Sequence, residues 1–178
     1  MSGEPDPTLN PTAASILGFL QRGPMTGWEL EKAVEGSIGS FWNVTRSQIY
    51  RELSNLASLK LVVPGETGPR DRRPYMISEA GRHAFGAWIS RLPGQEIIRF
   101  PLLLTVFFRE HLDSVRLRRY LREHELAHMR HLEEYEERAR RLGDVQSGPA
   151  LVLRFGIEYE QAVLRWFASL PDYEPVER

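Results

Sequence analysis

In the first third of the chain, apolar residues recur at steps of three and four. Ala13, Ile16, Leu17 and Leu20 share one helical face, with Asn10 placed to cap it and Pro11 at the first helical position; Gly23-Pro24 closes the element. Thr26 caps a second predicted helix that carries Trp28, Leu30, Ala33, Val34 and Ile38 and ends around Gly36 and Gly39. Phe41-Trp42-Asn43-Val44 reads as a brief extended piece. Thr45, with Gln48 three residues on, opens a third helix through a capping box, and Ile49, Leu53, Leu56 and Leu59 form its buried stripe. The period then shortens to that of strands. Leu61-Val62-Val63 and Tyr75-Met76-Ile77 flank a turn-rich loop from Pro64 to Arg73, which predicts a small hairpin. Ser78 caps a fourth helix holding Ala80, Ala84, Phe85, Trp88, Ile89 and Leu92.

Past the linker signal Pro93-Gly94 the pattern is helical almost throughout. One helix is expected from Phe100 to Glu110, a long one from Ser114 to Leu142 behind Asp113, and a last one from Ala150 to Leu170. In the long helix, Leu117, Leu121, His124, His128, His131, Tyr135 and Leu142 alternate steps of three and four. That is the spacing of a seam along a second helix, so these residues are expected at a homodimer interface. Trp88, Phe107, Phe108, Trp166 and Phe167 are expected in cores rather than around an apolar ligand pocket. The resulting plan is a flexible arm over 1–11, a first domain over 12–93, a helical domain over 94–170 and a tail over 171–178.

Composition narrows this plan. With 42% hydrophobic and 26% charged residues, the 178-residue chain carries enough apolar material to fold. It contains no cysteine, which excludes disulfides, thiol nucleophiles and cysteine-ligated zinc. The acidic, proline-rich first residues lack the features of a secretory signal, and the apolar run PLLLTVFF at 101–108 is far too short to cross a membrane, so a cytoplasmic protein with no membrane partner is expected. The net charge of −1 hides an asymmetry. Between Arg46 and Arg91, eight basic residues face four acidic ones, a local charge of +4, while the remainder holds 15 basic against 20 acidic. A local basic segment of this kind suits a short DNA-contacting surface.

Three short helices followed by a strand, an arginine-rich loop and a strand have the layout of a winged helix-turn-helix, giving a mainly α fold with a small β-hairpin wing. The third helix would enter the major groove. Arg46, Ser47, Gln48, Tyr50 and Arg51 lie off its apolar stripe and are the expected groove or phosphate contacts; Arg70, Arg72, Arg73 and Tyr75 are the expected contacts from the wing.

Residues 14–92 resemble the PadR family of bacterial transcriptional regulators, through ILGFLQRGPMTGWEL (16–30), SQIYRELSNLASLKLV (47–62) and RRPYMISEAGRHAF (72–85). FPLLLTVFFREHL (100–112) and GIEYEQAVLRWF (156–167) are similar to the first and last helices of the helical domain found in the longer members. The chain departs from the family pattern at Trp28, where tyrosine is usual, at Glu52, where proline or a small residue is common, and at Ser78, where threonine is usual. The resemblance implies a homodimeric regulator, as a rule a repressor, that reads double-stranded DNA at a pseudo-palindromic operator. It further implies a small-molecule effector of unidentified chemistry acting through the helical domain.

Two rival functions are legible. The stretch HELAH (124–128) has the His-Glu-x-x-His pattern of zinc hydrolases, with Glu125 as the base. No third ligand follows at a recognisable spacing, and His124, His128 and His131 span about 10 Å along one helix, too far to share an ion. No metal, cofactor or enzymatic activity is therefore expected; a pH- or metal-sensing role for the histidines is the milder form of the idea. The second rival is a winged helix that binds protein instead of DNA.

Overall fold

The computed structural model describes residues 9–38, 41–42, 44–68, 72–95, 98–142, 146–171 and 173–176. Most of the expected arm and Arg70 of the expected wing lie outside these residues. The chain divides into two units, one up to Gln95 and the other from Glu96.

In the first unit the order is α1 (Pro11–Leu20), β1 (Met25–Thr26), α2 (Gly27–Glu35), α3 (Arg46–Ser58), β2 (Val62–Pro64), β3 (Pro74–Ile77) and α4 (Glu79–Ile89). The caps act as the sequence dictates. Asn10 accepts from the Ala13 amide, Thr26 and Thr45 close reciprocal boxes with Glu29 and Gln48, and Ser78 accepts from the Gly81 amide. Helix α1 is buried on nearly every side because α2, α3, α4 and β3 all pack on it. Ile16, Leu17 and Leu20 meet Leu30 of α2, Ile49, Leu53 and Leu56 of α3, and Val62 and Ile77 of the sheet in one core. Each such side chain stabilises the unit by about 1.5–3 kcal/mol. Leu9, assigned by sequence to the arm, belongs to this core.

The hairpin is the major part of a three-stranded antiparallel sheet of order β1-β3-β2, with Met25 opposite Tyr75 and Val62 opposite Ile77. A two-residue strand directly before a helix cap is too short to show an alternating pattern, so β1 is not legible in the sequence. Phe41 and Trp42 are not extended; their amides close a turn onto the Ile38 carbonyl, while Asn43 lies outside the described residues. Ile89 and Leu92 are exposed instead of buried, whereas Gly81 and Ala84 supply the packed face of α4.

Helix α3 ends on Lys60, whose φ of 58° is left-handed, and the Leu61 amide reaches back to the Leu56 carbonyl. Glycine is the usual residue at such a position. Lys60→Gly is therefore expected to stabilise the unit by about 0.5–1 kcal/mol; a urea midpoint that falls would contradict this account.

The second unit contains α5 (Pro101–Phe107), a 3-10 turn (Arg109–His111), α6 (Ser114–Arg141) and α7 (Gly148–Ala168). Helices α6 and α7 run antiparallel. The Tyr135 ring lies against Gly156, where a Cβ would come within 3.1 Å of it, and about two turns earlier on α6, His128 faces Glu160. Leu121, Leu132 and Tyr135 are buried together with Leu164 and Phe167. Of the five aromatics expected in cores, Phe167 is fully buried, but Phe107 and Phe108 are exposed. No helix among the described residues is long and apolar enough to cross a membrane.

Candidate nucleic-acid interface

The capping box fixes where α3 begins. Gln48 Oε1 accepts from the Thr45 amide at 2.8 Å, so the first helical turn presents Arg46 and Ser47 outward and places Tyr50 and Arg51 one turn on. Ile49, Leu53 and Leu56 pull the opposite face into the core. Arg46 lies over the Tyr50 ring, 5.7 Å from its centroid, with its Nε 3.9 Å from Glu31. The Tyr50 ring in turn rests on Gly27, where a Cβ would stand 2.6 Å from Cζ. Only glycine at the head of α2 leaves room for the ring there.

The wing reaches the same place from the other side. Backbone bonds from Gly65 to the Pro74 carbonyl and from Gly68 to the Arg72 carbonyl hold its two strands together. Arg72 lies over Trp28, 5.6 Å from the ring centroid. Thr26, Gly27, Trp28, Arg46, Tyr50, Arg72, Arg73 and Tyr75 line a shallow pocket of about 300 Å³. Its charged lining is wholly basic, and three partly exposed aromatic rings, Trp28, Tyr50 and Tyr75, stand among the guanidinium groups. Nearby, the Glu29 carboxyl is held below its usual range, chiefly by the Thr26 amide, then by the Thr26 hydroxyl, with a smaller effect from Arg72.

Of the residues expected on this surface, Arg46, Tyr50, Arg72, Arg73 and Tyr75 are brought together around the pocket. Ser47 and Arg51 are exposed on α3 but do not line it. Gln48 is half-buried with its carbonyl oxygen occupied by the cap, so the role of helix starter competes with that of base reader. Arg70 lies outside the described residues. Trp28 is the residue the sequence reading placed with the apolar positions of α2; it is 44% exposed and forms one wall of the pocket. A tryptophan two residues past a cap, beside a glycine, is the signal that marks it. Glu52, one of the departures from the family pattern, is turned into the protein and buried.

In the second unit HELAH does not assemble a hydrolase centre. His124 is exposed, while Glu125 is buried with one oxygen, Oε2, accepting from the Tyr173 hydroxyl at 2.8 Å and the Val176 amide at 3.0 Å. The base that a zinc hydrolase requires is thus engaged in holding the C-terminal segment. Burial, then the hydrogen bond to Glu125, raises the Tyr173 hydroxyl pKa. The expected seam is also partly used within the chain. Leu121 and Tyr135 are buried and His128 is half-buried in the α6–α7 pair, leaving His124 and His131 exposed and Leu117 and Leu142 half-buried. Heptad-like spacing requires a neighbouring helix, but it does not distinguish the chain's own from a partner's.

Residues 16–87 match the model of the transcriptional regulator PadR-like family, and residues 98–170 match that described as virulence activator alpha C-term. The negative transcriptional regulator PadR of Bacillus subtilis is 26% identical over 98 residues, covering 53% of this chain and 54% of the relative. The chain spans about half the length of the curated relatives it matches. The crystal structure of Bacillus subtilis PadR in complex with operator DNA superposes with a TM-score of 0.75 at 23% identity, over 88% of this chain and 95% of that one. The Vibrio cholerae virulence activator AphA gives 0.67 at 25% identity, over 87% and 92%.

Proposed function

We propose that the chain is a PadR-like transcriptional regulator that binds double-stranded DNA sequence-specifically in the cytoplasm and regulates transcription, as a repressor, rather than catalysing a reaction. One observation carries this reading: the start of α3 and the wing converge on a single basic pocket with Tyr50 and Trp28 between their arginines. A groove-entering helix end needs cations for phosphates and flat groups for sugars and base edges, and it needs them on one surface. Selection from a random duplex pool by the purified full chain is expected to enrich a pseudo-palindrome with half-sites about one turn, roughly 34 Å, apart. A pool left unenriched at low and moderate salt would refute the reading.

Such an operator requires two copies of the chain. Helix α5 has no buried residue, and Leu103, Leu104, Phe107 and Phe108 are exposed on and beside it, as are Leu151, Val152 and Phe155 on α7. Apolar exposure on this scale in one small helical unit marks an association surface. The dimer surface is therefore assigned to α5 and the first half of α7, while Leu117, His124, His131 and Leu142 of the expected seam are left incompletely buried within the chain. Phe107→Glu changes a side chain that is 75% exposed and need not harm the fold. It is expected to shift sedimentation from dimer to monomer and to weaken operator binding about tenfold, by removing the cooperation of two half-sites; a variant that stays dimeric places the interface elsewhere. Bacillus subtilis PadR has been solved with p-coumaric acid, which supports a small-molecule effector for this chain as well, acting by changing the spacing of the two recognition helices.

A further inference from the structure

We propose that His128, His131 and Glu160 form a binding site for a divalent transition-metal ion that clamps α6 to α7. The two histidines sit one helical turn apart on α6, and the carboxylate comes from α7. Glu160 divides its oxygens between them: Oε2 lies 2.5 Å from His128 Nδ1 and Oε1 lies 3.6 Å from His131 Nδ1. The three donor atoms all lie within 4.8 Å of one another. Tetrahedral zinc, with bonds near 2.0–2.2 Å, sets its ligand atoms about 3.3 Å apart. The two separations straddle that value, so small side-chain rotations suffice to close the set.

The surroundings favour an ion over a simple ion pair. The Glu160 side chain is 4% exposed, and a carboxylate withdrawn this far from water benefits from a dication more than from one half-buried imidazole. Aromatic rings brace the histidines: Tyr135 stacks on His131, and Tyr159 and Phe167 flank His128. The His131 side chain is 52% exposed, which leaves an entrance and a coordination position for water. Two imidazole nitrogens with one carboxylate oxygen suit zinc, cobalt, nickel or ferrous iron; calcium and magnesium demand oxygen donors throughout. The set shares His128 with the HELAH pattern but uses neither His124 nor Glu125, so it is not the ligand pair and base of a zinc hydrolase. It concerns the α6–α7 pair alone and is independent of DNA binding by the first unit.

Cobalt(II) is a suitable probe because its visible absorption reports coordination number. Chelator-treated full-length protein is expected to saturate at one cobalt per chain with the intense bands of a four- or five-coordinate ion. Zinc is expected to displace the cobalt and to raise the melting temperature. His131→Ala changes an exposed side chain, so the fold should persist, and it is expected to weaken binding about 10- to 100-fold; Glu160→Gln should do the same where its circular dichroism matches the wild type. His124→Ala should bind as the wild type does. The proposal is overturned if the wild type takes up no cobalt, if His131→Ala titrates like the wild type, or if His124→Ala loses binding to the same extent.

Discussion

Gly81→Ala is expected to destabilise the first unit by about 3 kcal/mol, which for a domain of this size lowers its melting temperature by roughly 15 °C. Gly81 lies in the first turn of α4, against the end of α3. A Cβ there would stand 2.1 Å from the Leu61 carbonyl oxygen and 2.9 Å from Ile77 Cγ1. The oxygen has nowhere to retreat, because the Ser78 amide and hydroxyl both donate to it at 3.0 Å. The same hydroxyl accepts from the Gly81 amide, so α4 is locked onto this spot by its own cap. Ile77 is pinned by pairing with Val62 and by the core. Alanine's better helix propensity returns only about 1 kcal/mol. Gly86, in the same helix, has nothing within 4 Å of an added Cβ, so Gly86→Ala is expected to stabilise by up to about 1 kcal/mol. Thermal melts of the two variants would decide: a Gly81→Ala protein as stable as the wild type would show that α4 can lift off Leu61 at little cost.

This junction also shows what sequence conveys. The caps at Asn10, Thr26, Thr45, Ser78 and Asp113 were readable because each is a local event, settled within three residues of itself. The apolar stripes of α1 and α3 were readable because a helix repeats its face. The contact of Gly81 with Leu61 was not, since it joins positions whose approach depends on the whole turn between α3 and α4. The long helix illustrates the same limit in reverse. Its spacing was expected to mark a dimer seam, yet Leu121 and Tyr135 are buried in the pair with α7 of the same chain, and Glu125 of α6 and Glu160 of α7 are as buried as Leu121 and Leu132. Hydropathy assigns such carboxylates to solvent; only the partners brought by the fold, Tyr173 for one and His128 for the other, make their burial tolerable. Within the candidate interface, the charged members were legible from composition. Trp28 was marked only by its place beside Gly27 just past the cap, because its apolar side chain serves equally well in a core.

The largest expected effect on binding follows from the same surface. Arg46 and Arg72 approach from α3 and from the wing, over Tyr50 and Trp28 respectively. Removing both takes four cations from a dimer. At about 1 kcal/mol for each, the double variant Arg46→Ala/Arg72→Ala is expected to bind an operator about a thousandfold more weakly at moderate salt. The cause is separable in the salt dependence. If both arginines contact phosphate, the slope of log affinity against log salt falls by about 3 to 4, and binding to operator and random duplex weakens alike. If either reads a base edge, the operator loses more than random DNA does. Arg51→Ala is the discriminating companion, because Arg51 is exposed on α3 yet lies outside the pocket lining. A large loss from Arg51→Ala beside a negligible one from the double variant would move the DNA surface along α3 and away from the wing. The reverse result would establish that helix and wing act as one surface, with Gly27 kept small so that Tyr50 can lie between them.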